Sequence, residues 1–147
     1  MAKAKKFNMR KVQRETRSAM ERSIVLIGNE ARKFFIDNFR KQGFDDKHVE
    51  KWQPRKKADK RAGRAILVKT GDLRRSIIRQ PVNKAQLKVK ISSDLPYSRI
   101  HNDGLMGRAW GKHSFKMPKR QFMGDSWNLN EKMKGVIVRQ LNKVFKQ

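Results

Sequence analysis

From Met9 to Arg40 the apolar residues Val12, Met20, Ile24, Ile27, Ala31, Phe34, Phe35 and Phe39 recur at spacings of three and four among charged residues, the period of one face of an α-helix. The pattern predicts a single long amphipathic helix, ended by Gly43. A second helical stripe closes the chain: Leu129, Met133, Val136, Ile137, Leu141, Val144 and Phe145, with Asp125 or Ser126 placed to cap its first turn. Between them the period changes to two. Leu87, Val89 and Ile91 alternate with Lys88 and Lys90, which predicts a strand with one apolar and one basic face. Ser76 to Gln80 is its expected antiparallel partner across a turn near Pro81 to Ala85, and Tyr97 to His101 is an expected third strand after Pro96. Thr70, Gly71 and Asp72 ahead of Leu73, Ser76 and Ile77 predict a tight turn or a short capped helix. Residues 44–66 and 104–120 have no usable period and are expected to be long basic loops, and residues 1–8 a flexible basic arm. The predicted fold is a single α+β domain over 1–147: a small antiparallel sheet packed by a long N-terminal helix and a C-terminal helix.

Length and charge sharpen this picture. A chain of 147 residues suits one modest hydrophobic core. Lys and Arg outnumber Asp and Glu by 38 to 13, a formal charge of +25, so the surface repels itself and attracts acidic partners or polyanions. There is no cysteine, which excludes disulfides and thiolate ligands and fits folding in a cytoplasm. No apolar run approaches the roughly 20 residues of a membrane span, and Met1 to Arg22 lacks the apolar stretch of a signal peptide. No membrane partner is expected.

The chain offers little for catalysis. Ser98, His101 and Asp103 invite a triad reading, but triad members are brought together by fold geometry, not by adjacency in sequence. The plainer reading is a turn closed by Gly104 in which His101, Asn102 and Asp103 hydrogen-bond locally. Neither Gly104 to Gly111 nor Lys69 to Leu73 has the glycine and lysine order of a phosphate-binding loop. No catalytic residue, metal or cofactor is expected, so the chain reads as a non-enzyme. The basic residues are a different matter. Arg55, Lys56, Lys57, Lys60, Arg61 and Arg64 in the first loop, and Arg108, Lys112, Lys116 and Lys119 in the second, are interleaved with Trp52, Trp110 and Phe115. These are the candidate contacts to DNA or to an acidic partner, although a basic run is most often a solvated face.

Four short motifs stand in order: Trp52-Gln-Pro54; Leu67 to Ile77, with Thr70, Gly71, Leu73 and Ser76; Pro96 to Gly104, with Tyr97, His101 and Asn102; and Met117 to Gly124, with Pro118, Arg120 and Phe122. In that order they resemble the phage virion morphogenesis family, the tail-completion proteins of contractile-tailed phages and prophages. The resemblance implies a structural α+β subunit that completes or joins the tail at its head-proximal end, assembled in the host cytoplasm as a ring of identical copies. Its implied partners are tail and head-connector proteins, with non-specific contact to genomic DNA in the channel. Gly71 and Gly104 are expected to permit tight turns, Tyr97 and Phe122 to anchor packing, and Pro118 to fix the chain ahead of Phe122. The basic run at Lys56 to Lys60 and the high charge depart from the family pattern. A basic nucleic-acid-binding module is the alternative from another class.

Overall fold

The computed structural model describes residues 8–109 and 111–146. Residues 1–7 of the expected basic arm 1–8 lie outside the described residues, as do Trp110 and Gln147, while Asn8, the last residue of that arm, is instead the ordered cap of the first helix. Helix α1 runs over Met9–Lys41, 33 residues, about 50 Å at 1.5 Å per residue. Asn8 caps it, its side chain accepting from Lys11 N. The apolar face predicted from the sequence is the buried one, but Ala19, Ser23, Gly28 and Asn38 are buried with it. The helix does not end at Gly43. Gln42 takes the left-handed conformation at φ 53°, and its side chain donates to the Phe39 carbonyl while its oxygen accepts from Ile66 N. Those bonds hold a non-glycine residue where Gly is the usual choice.

Gly43 instead opens a hairpin of β1 (Gly43–Asp45) and β2 (Val49–Lys51). The loop expected over 44–66 therefore begins as ordered structure with Phe44, Asp45 and Trp52 buried, and only from Gln53 does it become irregular. A Cβ at Gly43 would lie 2.5 Å from the Glu50 carbonyl oxygen, so this close strand pairing requires glycine. Helix α2 (Asp72–Arg75) follows the Gly71 turn, and β3 (Ile78–Arg79) pairs antiparallel with β4 (Ile91–Ser92). The partner predicted for the alternating strand is thus in place, but the ladder is shorter than the alternation suggested. Leu87 stands at φ 50° and Asn83 bridges Lys88, because the Asn83 side chain accepts from Gln86 N at 3.0 Å and turns the chain there.

The third expected strand is a helix. Residues Ser98–Asp103 form α3, closed by Gly104 at φ 69° with its N–H on the Ile100 carbonyl. Ser98 N donates to the Leu95 carbonyl at 3.0 Å, a turn around Pro96 that leads into the helix, and the glycine supplies the left-handed cap that ends it. The second expected loop, 104–120, carries a hairpin of β5 (Met106–Ala109) and β6 (His113–Lys116). All four residues of β6 are exposed. The hairpin packs on itself, with the Phe115 ring against Gly107, and so eludes a reading that looks for one buried face. Helix α4 (Trp127–Phe145) completes the chain, capped by Ser126, whose hydroxyl accepts from Leu129 N. It lies along α1 with Leu129 and Val136 buried. Phe145, predicted within its stripe, is 62% exposed near its end.

The architecture is α+β, with three separate two-stranded ribbons among the described residues where one small sheet was expected. The core joins Phe34, Phe35 and Phe39 of α1 to Trp52, Ile66, Leu73, Ile77, Phe122 and Leu129. At its centre the Phe39 ring meets Trp52 edge-on at 5.6 Å and Phe122 at 5.1 Å. The β3–β4 ribbon lies across α1 at Gly28, where a Cβ would come within 2.7 Å of Val89. Arg32 donates to the Ile77 carbonyl at 2.9 Å and Arg17 to that of Ala85 at 2.9 Å, fixing the ribbon along the helix.

Candidate functional site

The four motif segments meet around the chain between Pro118 and Gly124. Trp52 is buried, and its indole N–H donates to the Gln121 carbonyl at 2.7 Å. Leu73 and Ile77, from the second motif, enter the core. Asn102, from the third, turns its side-chain oxygen to the N–H groups of Phe122 and Met123, both at 2.9 Å, and donates to Asp103. Arg120 N donates to the His101 carbonyl at 2.9 Å. Asn38, fully buried on α1, donates to the Phe122 carbonyl at 3.1 Å and accepts from Asp45 N. Every main-chain polar group of Phe122 is thereby paired by a side chain, as burial of a strandless segment demands. Gly104 faces the same segment, and a Cβ there would stand 2.9 Å from Lys119 backbone atoms.

On the outer side of this junction lies a cleft of about 340 Å³. Arg55, Arg61 and Lys69 line it from the irregular segment, Thr70 to Leu73 from the turn into α2, Tyr97 and His101 from α3, and Met117 and Arg120 from the fourth motif. Arg55 is held by the carbonyls of Arg61 and Arg64, at 3.2 and 2.8 Å. Among the described residues Asp72 is the one carboxylate in the lining; hydrogen bonds from Thr70 and then Arg75 hold it below the ordinary carboxyl range. Arg120 reaches the Gln53 carbonyl at 3.4 Å. Burial and then the Arg55 charge lower the pKa of its guanidinium. Two nitrogens here, His101 Nδ1 and Arg120 Nε, are buried with no hydrogen-bond partner among the described residues.

Tyr97 does not anchor the core as expected: it is 40% exposed at the cleft mouth, edge-on to His101 at 6.0 Å. A polar hydroxyl end is served better at that rim than in the core. Ser76 sits behind the cleft, its hydroxyl bonded to Ser93 and Leu73. Pro54 and Gly124 are exposed and Pro118 is half-buried. Of the candidate basic contacts only Arg55 and Arg61 join the cleft. Lys56, Lys57, Lys60 and Arg64 are exposed on the irregular segment, Arg108, Lys112 and Lys116 on the β5–β6 hairpin, and Lys119 on the following chain. Lys69, in the cleft, and Asn38, behind it, were not singled out from sequence. Lys69 abuts the Thr70 motif, but a buried Asn within an apolar stripe carries no readable signal.

Ser98, His101 and Asp103 share α3 but not a face. Ser98 is buried, while Asp103 turns outward to pair with Arg99 at 3.5 Å. Among the described residues no three His, Asp or Glu side chains gather as metal ligands do, and no helix is long and apolar enough to cross a membrane. Burial first, then the Arg120 charge, hold the His101 imidazole below its ordinary pKa of 6.5. The unfolded chain thus takes up this proton more readily than the folded one. The stability that the neutral imidazole gives is complete above about pH 6.5 and is lost as the pH falls from there towards the folded value. Urea melts of the wild type and His101→Gln should show a stability difference that is constant above about pH 6.5 and narrows as the pH falls below it. A difference independent of pH would place an ordinary, solvated imidazole at this position.

The sequence profile of the phage virion morphogenesis family matches residues 6–142 of the chain. Neither the curated proteins nor the solved structures yield a match.

Proposed function

The chain belongs to the phage virion morphogenesis family, a structural component of virion assembly, and from that premise we propose that it completes the tail at its head-proximal end as a ring of identical copies acting without catalysis. The observation that carries this reading is the β5–β6 hairpin. It exposes both faces, with Met106 61% and Phe115 40% accessible among Arg108, Lys112 and Lys116. A two-stranded ribbon with apolar side chains in water has little stability of its own and gains by being covered. A ring offers that cover, since each copy sets one surface against a different surface of the next. The +25 charge keeps free copies apart and favours acidic tail and connector proteins as neighbours.

Cryo-electron microscopy of purified virions or tails tests the proposal. The expected result is a ring of this fold at the head-proximal end of the tail, with the hairpin seated on a neighbouring subunit. Absence from finished particles would overturn it. The exposed cations from Lys56 to Arg64 favour one further reading, phosphate contact with DNA in the channel. That reading requires binding to duplex DNA that weakens steeply with added salt.

A further inference from the structure

We infer that the cleft between Arg55 and Arg120 seats an acidic side chain, Glu or Asp, of a partner protein. The inference rests on the assembly reading for its choice of a protein partner, while the site itself rests on charge, pairing and shape. Arg55, Arg61, Lys69 and Arg120 converge on it against the single carboxylate of Asp72, which Arg75 and Thr70 already occupy. Among the described residues none of the four cations is in a salt bridge, although six such pairs form away from the cleft. Like charges held together cost stability unless an anion intervenes. Arg55 is already fixed by main-chain carbonyls, so little side-chain freedom remains to be lost on binding.

The cleft walls favour a protein carboxylate over a DNA phosphate. Leu67 and the Tyr97 ring stand beside the cations, a mixed surface that accepts the methylenes of a Glu side chain while guanidinium groups take its oxygens in pairs. The space is a recess of about 340 Å³, sized for one or two side chains. A duplex backbone follows an open basic face instead, such as the exposed run of Lys56, Lys57 and Lys60.

The test uses the full chain and a short fluorescein-labelled oligoglutamate peptide, read by anisotropy at fixed salt. Arg61→Gln with Lys69→Gln removes two cleft charges from exposed side chains that hold no core contact. Lys112→Gln with Lys116→Gln removes the same charge from the hairpin. The cleft pair should weaken peptide binding about tenfold, as expected for lost charge-assisted bonds, and the hairpin pair by less than about twofold. Equal loss in both, or none in the cleft pair, would show diffuse attraction and overturn the site. Duplex DNA whose own binding is abolished by the cleft pair, and which displaces the peptide, would identify a phosphate site and overturn the carboxylate. None of these results bears on ring formation, which is read separately in particles.

Discussion

Phe122→Ala should be the most damaging single truncation in this protein, lowering stability by about 3–5 kcal/mol and leaving much of the chain unfolded at ordinary temperature. Phe122 is 0% exposed and stacks at a tilt against Phe39, whose other neighbour is Trp52. It is also the one apolar residue of the Met117 to Gly124 segment that is fully buried, and its neighbour Met123 is already packed against the same core. A cavity there also loosens the Asn38 and Asn102 hydrogen bonds to its main chain. Urea unfolding followed by Trp fluorescence measures the effect, since Trp52 lies one ring away. A loss below about 1.5 kcal/mol, the range of tolerated volume-conserving swaps, would show that the segment is not a fixed part of the core.

The second large effect is expected from Asn102→Ala, a loss of about 2 kcal/mol or more, out of proportion to a half-buried polar side chain. One oxygen accepts from two main-chain donors, Phe122 N and Met123 N. Its removal leaves both without a partner on a segment that has no strand to pair with, and an unmet buried donor costs more than a typical hydrogen bond contributes. Asn102→Asp keeps the acceptor but replaces the donor to Asp103 with a second carboxylate, so it should recover only part of the loss. If Asp and Ala prove equally destabilising, the two bonds contribute little and the residue serves only to pack. In the peptide assay on the free chain Asn102→Ala should also weaken binding, because Arg120 enters the cleft from the segment that Asn102 fixes.

Both variants concern residues whose types were readable and whose partners were not. Phe122 was legible as an anchor because a lone aromatic between Arg120 and Gly124 has few other roles. Asn102 was legible only as a turn former, since its neighbours Asp103 and Gly104 suit turns; the segment it holds lies 20 residues on. Tyr97 and Phe122 were indistinguishable as apolar anchors, and the fold sent one to the rim and one to the centre. The basic residues divided in the same way. Arg55 and Arg61 differ from Lys56 and Lys60 in no pattern of the sequence, yet only the arginines face the cleft. Charge was legible as a total, and its convergence depended on where a segment without a period came to lie.

What the sequence by itself determined is what repeats or is locally closed: the two long amphipathic helices, the Ser126 cap within one turn of the second, the Gly71 turn, the α+β class, the absence of cysteine chemistry and the large positive charge. Periodicity and capping are short-range physics, set by 3.6 residues per turn and by donors left free at a helix end, so they are written in neighbouring residues. Only the tertiary structure decided that the expected third strand is helix α3, that the second loop carries a hairpin, and that Asn38 and Asn102 hold the Phe122 segment between them. It alone brought Arg120 and His101 beside Arg55. Those outcomes depend on pairings between residues far apart in the chain, whose energies exist only once the long helices have brought the segments together.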